Sequence, residues 1–554
     1  MLREAGTPAG EGIMATLFGD SSGTLRRDAG RVGLLFASTT SMIGSGWLFG
    51  AFDAARLAGP WSIASWIVGA AIILIVALCF AELATMFPRS GAVVHMSHAS
   101  HGAGIGRIWG WLLFLTYVST PAIEAEGVIT YANNYLPWFI QPGTGGVLSG
   151  AGFAAAVGLM LVFAVVNLLA VRWLMNVNST VTWWKIAIPG LTVVALLAAS
   201  VHPGNLEAAP ESYSTAGIFT ALPAAGIVFS FLGFRTAIDL AGETRDPGRS
   251  VPFAVIGSVI LATLIYIGLQ VAFVLAVSPG DIAGGWDHLQ FAGSTGPFAG
   301  LAATLGLTWL AILLYADAYV SPAGTGLIFV TAGSRVLHAN GALGAGPKHL
   351  TRLTAYGIPW VGVLVMWAAG CLFLLPFPAW SRMAAYISSI TVLTYGLGPI
   401  ALLCLRRNAP HAERPFLLPG AGLIAPLAFI ASNWIIFWAG FSTVSWLFSL
   451  IAIGFAAYVV YFHLVARNPA REFGWRQISW LLPWFGGMWI LSALGGQGGG
   501  LGVLSFPVEI VVIALWSLLV LALAMRLSLD PHETRRAIDG ILATPGTRPA
   551  DAAA

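Results

Sequence analysis

Arg235 stands in "FSFLGFRTAIDL", residues 229–240, late in a long apolar run, with Asp239 one helical turn further on. A guanidinium keeps its proton at any accessible pH and is costly at membrane depth, so it must face a partner, a cavity or a ligand. Two chemistries fit it. One is an ion pair with Asp239, four residues along the same helical face. The other is reception of a ligand carboxylate, for which the planar fork is well shaped. Lys185 in "TWWKIAIPGL" is a second buried cation. A lysine, unlike an arginine, can release its proton, which suits proton handling. The alternative is that it snorkels to the inner face. Glu124 and Glu126 in "STPAIEAEGVITY" lie two residues apart, about 200° around a helix, so both cannot face one cavity. Glu124 shares the more polar stripe with Tyr117, Thr120, Pro121 and Tyr131, and is the candidate proton acceptor or partner of Lys185 or Arg235. Glu126 then pairs elsewhere or sits protonated. Asp317 in "LYADAYVSP" either lines an outer access path or makes a helix–helix hydrogen bond.

Other polar groups have plainer explanations. His95, His98 and His101 in "HMSHASHG" repeat every three residues, but no carboxylate or Cys accompanies them, so a polar face at the membrane surface is expected rather than a metal site. Cys79, Cys371 and Cys404 lie apart in apolar segments and read as small hydrophobes. Glu82 and Glu243 sit near inner ends of spans, where gate-closing or loop salt bridges account for them. The "GGQGGG" of residues 495–500 precedes no Lys-Ser/Thr and fits an outside loop. No nucleophile–base pair or metal set appears, which argues against an enzyme.

Composition sets the elements that must position these groups. The 554 residues are 57% hydrophobic and 9% charged, with mean hydropathy +0.83. A soluble domain carries about a quarter charged residues. Apolar runs of 18 or more residues recur and can each cross a bilayer as a helix. They are too long and continuous for barrel strands. An all-α polytopic membrane protein is expected, with about fourteen spans: 32–58, 61–86, 107–133, 148–171, 177–200, 216–241, 251–277, 298–330, 357–377, 383–405, 421–441, 445–466, 480–497 and 505–526. The first, sixth and eighth are long enough to expect tilt or a break. Of the 26 Lys and Arg residues, all but Arg56, Arg382, Lys185 and Arg235 fall inside if the N-terminus is inside. Arg26, Arg27 and Arg31, Arg245 and Arg249, Arg406, Arg407 and Arg414, and Arg467, Arg471 and Arg476 set that bias. N-in, C-in therefore follows, and the net charge of +3 implies no nucleic acid. Residues 1–30 lack the short apolar core of a signal peptide, so the first span should act as its own signal, and Met14 is a second candidate start.

Two spans are interrupted. "SMIGSG" in the first puts Gly44 and Gly46 around a Ser, and "FSFLGFR" in the sixth puts Gly233 amid bulky residues. Either these glycines let helices pack closely, or they mark broken helices whose freed backbone binds a ligand. Interruptions five spans apart favour the second, because corresponding breaks in two halves point to a transporter site at a repeat interface. Five is odd, so the second copy is inverted. Freed amides at Ile43, Gly44 and Ser45 attract a carboxylate. Freed carbonyls at Phe231 and Leu232 accept from an ammonium group. Together these are the two ends of an α-amino acid.

On these residues the chain resembles the amino acid–polyamine–organocation (APC) superfamily of permeases. The likeness rests on "SMIGSGWLFG", "AELATMFPRSGAVV", "FSFLGFRTAIDLAGETRDPGRSVP", "SRVLHANGALG" and "RRNAPHAERPFLLPG", spread over residues 32–420. It implies a five-plus-five inverted repeat with broken first and sixth helices. The expected layout is a tail at 1–30, repeats at 31–203 and 214–408, four accessory helices at 409–527 and a cytoplasmic tail at 528–554. By the resemblance Ser41, Ile43, Gly44, Ser45 and Gly46 hold the substrate carboxylate, Phe229 is an aromatic gate, and Phe231 and Leu232 offer carbonyls to the amine. Many relatives carry an acidic or small polar residue where this chain has Arg235. "LGFR" with "PAIEAE" looks most like bacterial aspartate–proton symporters. A fifth-helix Lys stands in proton-coupled relatives where sodium-coupled cousins hold a cation, and Lys185 matches it.

The expected function is proton-coupled uptake of L-aspartate or L-glutamate across the cytoplasmic membrane, with the proton as coupling ion and no cofactor. Arg235 meets the side-chain carboxylate, Lys185 and Glu124 handle the proton, and Gly326 and Thr391 complete the walls. The alternatives are a neutral amino acid symporter or an exchanger, with Arg235 neutralised by Asp239 or Glu124. A channel or a non-transporting sensor is a further alternative, though a sensor needs a signalling tail and residues 528–554 are short for one.

Overall fold

In hydrocarbon every backbone N–H and C=O must be satisfied within the protein, so apolar runs of this length become helices. The computed structural model describes residues 30–543 apart from 90, 145, 170, 292–295, 343, 345, 355, 376–378 and 466–472, and not the side chains of 171–179 and 465. Arg26, Arg27, Arg467 and Arg471 of the inside charge bias lie outside the described residues.

Among the described residues, ten helices are long and apolar enough to cross a membrane, eleven if the bent pair Thr215–Ala224 and Ile227–Asp239 is one span. Shorter pieces supply the other expected segments. The first span is Arg31–Met42 plus Gly46–Ala58, and its second half continues through a turn at Gly59–Trp61 into the second span, Ser62–Met86. The ninth is Trp360–Phe373 and the thirteenth Leu481–Leu494.

Three boundaries differ from expectation. The third span belongs to Ala92–Ala132, which starts well before residue 107 and kinks at Gly102, φ 83°. The histidine stretch is therefore helical. His101 is buried and hydrogen-bonds Ser100 and the Ala524 carbonyl. The eighth span breaks, as its length led one to expect, into Pro297–Thr304 and Thr308–Ala342 joined through Gly306 at φ 73°, but it runs well past residue 330. The C-terminal segment carries the amphipathic helix Pro531–Ala543, which buries Thr534, Ile538 and Ile541 against the third and tenth spans. Arg89 donates to the Leu542 carbonyl at 2.7 Å and Asn408 to the Leu529 carbonyl at 2.6 Å.

The bundle is apolar outside and polar within. Leu264 and Leu482 are 67% and 80% exposed, whereas Lys185, Glu124, Glu126, Arg235, Asp239 and Asp317 are all buried. The third span packs on the eighth and tenth (Trp380–Asn408), and the first packs on the fifth (Val171–Ala199), sixth, seventh (Pro247–Ala276) and eighth. Of the four last spans, the eleventh (Ala421–Trp438) lies against the second, the tenth and the outer half of the sixth. Asn433 ties it to Trp484 at 2.8 Å and to Ser517 at 2.9 Å, linking the eleventh, thirteenth and fourteenth. Trp484 in turn stacks on Trp109 of the third.

Candidate functional site

The first span breaks where its glycines stand. Arg31–Met42 ends at Ile43, φ −84° and ψ 79°, and the helix restarts at Gly46 behind Ser45. A break frees carbonyls on one side and amides on the other. The carbonyls are taken by neighbours. Lys185 Nζ donates to the Thr40 carbonyl at 2.7 Å and to Thr325 Oγ1 at 2.9 Å, and Thr325 donates to the same carbonyl at 2.9 Å. Tyr266 Oη donates to the Met42 carbonyl at 2.9 Å and to the Ser230 carbonyl at 3.1 Å, bridging spans one and six. Lys185 is fully buried on the negative end of a half-helix, so it does not snorkel.

On the amide side, Ser45 N–H donates to Glu124 Oε2 at 2.7 Å. The Ile43 and Gly44 amides turn inward on their own chain, to the carbonyls of Thr39 at 3.1 Å and Met42 at 3.0 Å. Of the three amides expected to hold a carboxylate, Ser45 alone faces one. Gly44 is required here, because a Cβ would overlap the Glu124 carboxylate. Glu124 thus partners neither Lys185 nor Arg235 directly.

The sixth span bends by 51° between Thr215–Ala224 and Ile227–Asp239, with Gly226 at φ 69°. That is earlier than the break expected at Gly233, where the chain only tightens into a 3-10 turn, Leu232–Phe234. Gly233 and Gly46 serve close packing: a Cβ on Gly233 would strike the backbone of Ser41 and Met42, and one on Gly46 would strike Ser230. Ser41 points the same way, its hydroxyl bonding Thr236 at 2.8 Å and the Gly233 carbonyl at 3.1 Å, and so joins the two spans. The Leu232 carbonyl accepts from Tyr395 at 3.3 Å, and the Phe231 ring packs edge-on against Tyr266 and Trp66.

Arg235 begins the last short helix of that span and is 3% exposed. Its guanidinium carbon lies 5.0 Å from the Tyr117 ring centroid and 5.3 Å from that of Tyr395, a cation–π cage. Nη1 donates to Thr394 Oγ1 at 2.9 Å, while Nε and Nη2 have no acceptor. Both Asp239 oxygens are also without a partner, so the anticipated Arg235–Asp239 ion pair is not made. Tyr117 precedes Glu124 by two helical turns on one face, so Arg235 meets the third span two turns inward of the residue that binds Ser45.

Aromatic rings close the outer side. Trp380 Nε1 donates to Ser45 Oγ at 2.9 Å, its ring stacks on Phe49 with centroids 4.6 Å apart, and Phe229 meets it edge-on at 5.9 Å. Ion pairs close the inner side. Glu82 takes Arg406 at 2.5 Å, Arg414 at 3.3 Å and the Leu418 amide at 2.8 Å, and Glu243 takes Arg335.

The remaining candidates are scattered. Gly326 abuts Phe163 of the fourth span, and its neighbour Thr325 is the one that reaches the break. Thr391 is buried with its hydroxyl unpartnered, while Thr394 binds Arg235. Asp317 accepts from Trp184 at 2.8 Å and Ser321 at 2.7 Å, which makes it a helix–helix tie rather than part of an access path. Glu126 is buried with both oxygens unpartnered. Trp380, Thr325, Tyr266 and Tyr395 went unrecognised from sequence because their types are ordinary in a membrane helix, and Tyr117 stood out only as part of the polar stripe beside Glu124. Among the described residues no cluster of metal-ligating side chains occurs.

A family model described as amino acid permease matches residues 30–491. The chain is 38% identical over 515 residues to a glutamate/serine transporter of Bacillus subtilis (strain 168), covering 91% of this chain and 94% of that protein. It is 32% identical over 505 residues to an aspartate-proton symporter of the same organism, covering 90% and 95%. A branched-chain amino acid permease, also from that organism, is 26% identical over 462 residues, covering 81% and 95%. Broken first and sixth spans, a buried polar seam between them and likeness over nearly the whole length agree, and the chain belongs to the amino acid permease family of multi-pass membrane transporters, which move amino acids and are not enzymes.

Proposed function

We propose that the protein takes up an acidic amino acid, L-aspartate or L-glutamate, together with protons. Arg235 carries this reading: a buried guanidinium with two N–H groups free and no carboxylate paired to it. Leaving such donors unmet costs about 1–3 kcal/mol each, so a ligand that supplies a carboxylate gains that energy back. A dicarboxylic amino acid would set its α-carboxylate on Ser45 N–H and its side-chain carboxylate on Arg235, the two groups that meet the third span at Glu124 and at Tyr117. Phe229 and Trp380 would cover the substrate. Thr391 would stand on the wall with Thr394, and the carbonyls of Phe231 and Leu232 would meet the amine after Tyr395 moves. Lys185, on the Thr40 carbonyl, is the group suited to exchange a proton with the first-span break. Two relatives whose names specify glutamate/serine and aspartate-proton transport lend support.

Serine in one of those names favours a second reading, in which the site takes a small neutral amino acid and Arg235 serves to hold Thr394 and its two tyrosines. Uptake into proteoliposomes separates the two. Labelled aspartate and glutamate should accumulate faster with an inward proton gradient, and Arg235→Ala should lower their uptake by tenfold to a hundredfold while serine uptake changes little. Wild-type protein that accumulates serine and ignores both acidic amino acids would sink the acidic reading.

A further inference from the structure

The anion site at the first-span break is already filled, and by a side chain of another span. Glu124 reaches from the third span over the bare backbone of Gly44 and places Oε2 2.7 Å from Ser45 N, at the positive end of the half-helix Gly46–Ala58. Its other oxygen, Oε1, has no hydrogen-bond partner, so half the carboxylate is unused. An isolated internal carboxylate on that amide is the same chemical group, at the same donor, that an α-amino acid would present.

We propose that Glu124 is an internal stand-in for the substrate's α-carboxylate: it caps Ser45 N–H while the site is empty and must surrender it, taking up one proton, when the substrate's carboxylate arrives. The inference rests on the reading that an amino acid uses the Ser45 amide, and it is independent of what the substrate's side chain is. One N–H cannot serve two carboxylates, and two like charges in contact in a buried site force one to neutralise. Among the described residues, the titratable groups beside Glu124 are Lys185 from the fifth span and Tyr266 from the seventh, and Asp317 of the eighth faces Lys185. Lys185 is committed to the Thr40 carbonyl and Thr325, on the opposite side of the break, and Tyr266 to the carbonyls of Met42 and Ser230. A displaced Glu124 therefore has no ready cation and leaves as the neutral acid, its proton coming from solution. Substrate anion and proton then bind together, and the empty site, capped by Glu124, rejects stray anions.

The sign follows. If binding takes up one proton, affinity rises as pH falls, by as much as tenfold per pH unit, wherever Glu124 is ionised in the empty protein and protonated in the complex. The full-length protein in detergent would be screened by thermal shift against L-aspartate, L-glutamate, L-serine and the other common L-amino acids, and the one that stabilises most would be used. If serine wins, the acidic-substrate reading falls and this test proceeds unchanged. For wild type, the dissociation constant should tighten about tenfold per unit of falling pH. For Glu124→Gln, which keeps the shape without the charge, that slope should vanish and affinity at high pH should exceed wild type. An unchanged slope in the variant overturns the proposal. Infrared difference spectra of wild type on adding the amino acid need no variant: they should gain one carboxylic-acid carbonyl band, absent in Glu124→Gln or, if that variant does not fold, displaced in Glu124→Asp. No such band, meaning Glu124 leaves as an anion, overturns it equally.

Discussion

Lys185 and Thr325 hold one carbonyl, that of Thr40, from two different spans, and the pair couples a titratable group to the broken first helix. Replacing Lys185 by Met removes the proton and leaves that carbonyl with Thr325 alone. Uptake in proteoliposomes should lose much of its stimulation by an inward proton gradient and keep the part that Glu124 carries; a variant stimulated as strongly as wild type would remove Lys185 from the coupling. Trp380 acts through one hydrogen bond and a stacked ring. Trp380→Phe deletes the bond to Ser45 Oγ and keeps the stack, so it should weaken substrate affinity by roughly threefold to tenfold, the worth of one hydrogen bond of about 1 kcal/mol. Trp380→Ala removes both and should weaken it further, as read by the same binding titration. At this scale the charged groups were legible because each is anomalous in an apolar run, whereas Trp380, Thr325 and Tyr266 are ordinary residues made special only by what they touch.

At the scale of the element, the two interrupted spans do different things with their glycines. Gly44 makes room for a carboxylate, while Gly46 and Gly233 make room for each other's helices. A methyl group at Gly233 has only backbone to push against, so Gly233→Ala should destabilise the protein by about 1–3 kcal/mol, the usual penalty of overpacking, and lower its thermal midpoint in detergent. Gly158→Ala is the control. Nothing lies within 4 Å of its added methyl, so the midpoint should hold or rise slightly. Equal effects at both positions would mean that the close approach of spans one and six is not what Gly233 provides. The sharp bend of the sixth span escaped the sequence reading although its signal was present: Pro223 stands inside the helix and Gly226 follows in the left-handed region, φ 69°, with the Trp380 ring where a Cβ would point.

For the whole molecule, closure on the inner side rests on ion pairs between distant segments. Glu82 of the second span is fully buried and answers Arg406, Arg414 and a backbone amide in the segment after the tenth span. Glu82→Gln leaves two guanidinium groups short of a counter-charge, and because the Arg406 side chain is 28% exposed the cost falls below the roughly 3–5 kcal/mol of a fully buried pair. The variant should unfold at a lower temperature. A cysteine introduced on the cytoplasmic side of Arg235, at Ala241, should become more reactive to a membrane-impermeant thiol reagent from the inside. Unchanged reactivity would show that this network braces the fold without gating it. The eleventh to fourteenth spans join the same body through Asn433, Trp484 and the Trp109 stack, and the helix Pro531–Ala543 lies across the inner ends of the third and tenth spans.

Composition and hydropathy alone determined the helical membrane class, the approximate spans and the interruption of the first, because the bilayer punishes any unsatisfied or charged group severely enough to leave its mark on local sequence. The permease likeness was legible from short stretches around the first and sixth spans. Which groups meet was not. That Glu124 caps Ser45 instead of pairing with Lys185, that Arg235 lies between two tyrosines instead of against Asp239, and that Thr325 rather than Gly326 reaches the break all depend on the rotation and depth of helices far apart in the chain. Those are set by side-chain packing between spans, and a one-residue change of register moves a group about 100° around its helix, so only the assembled bundle decides them.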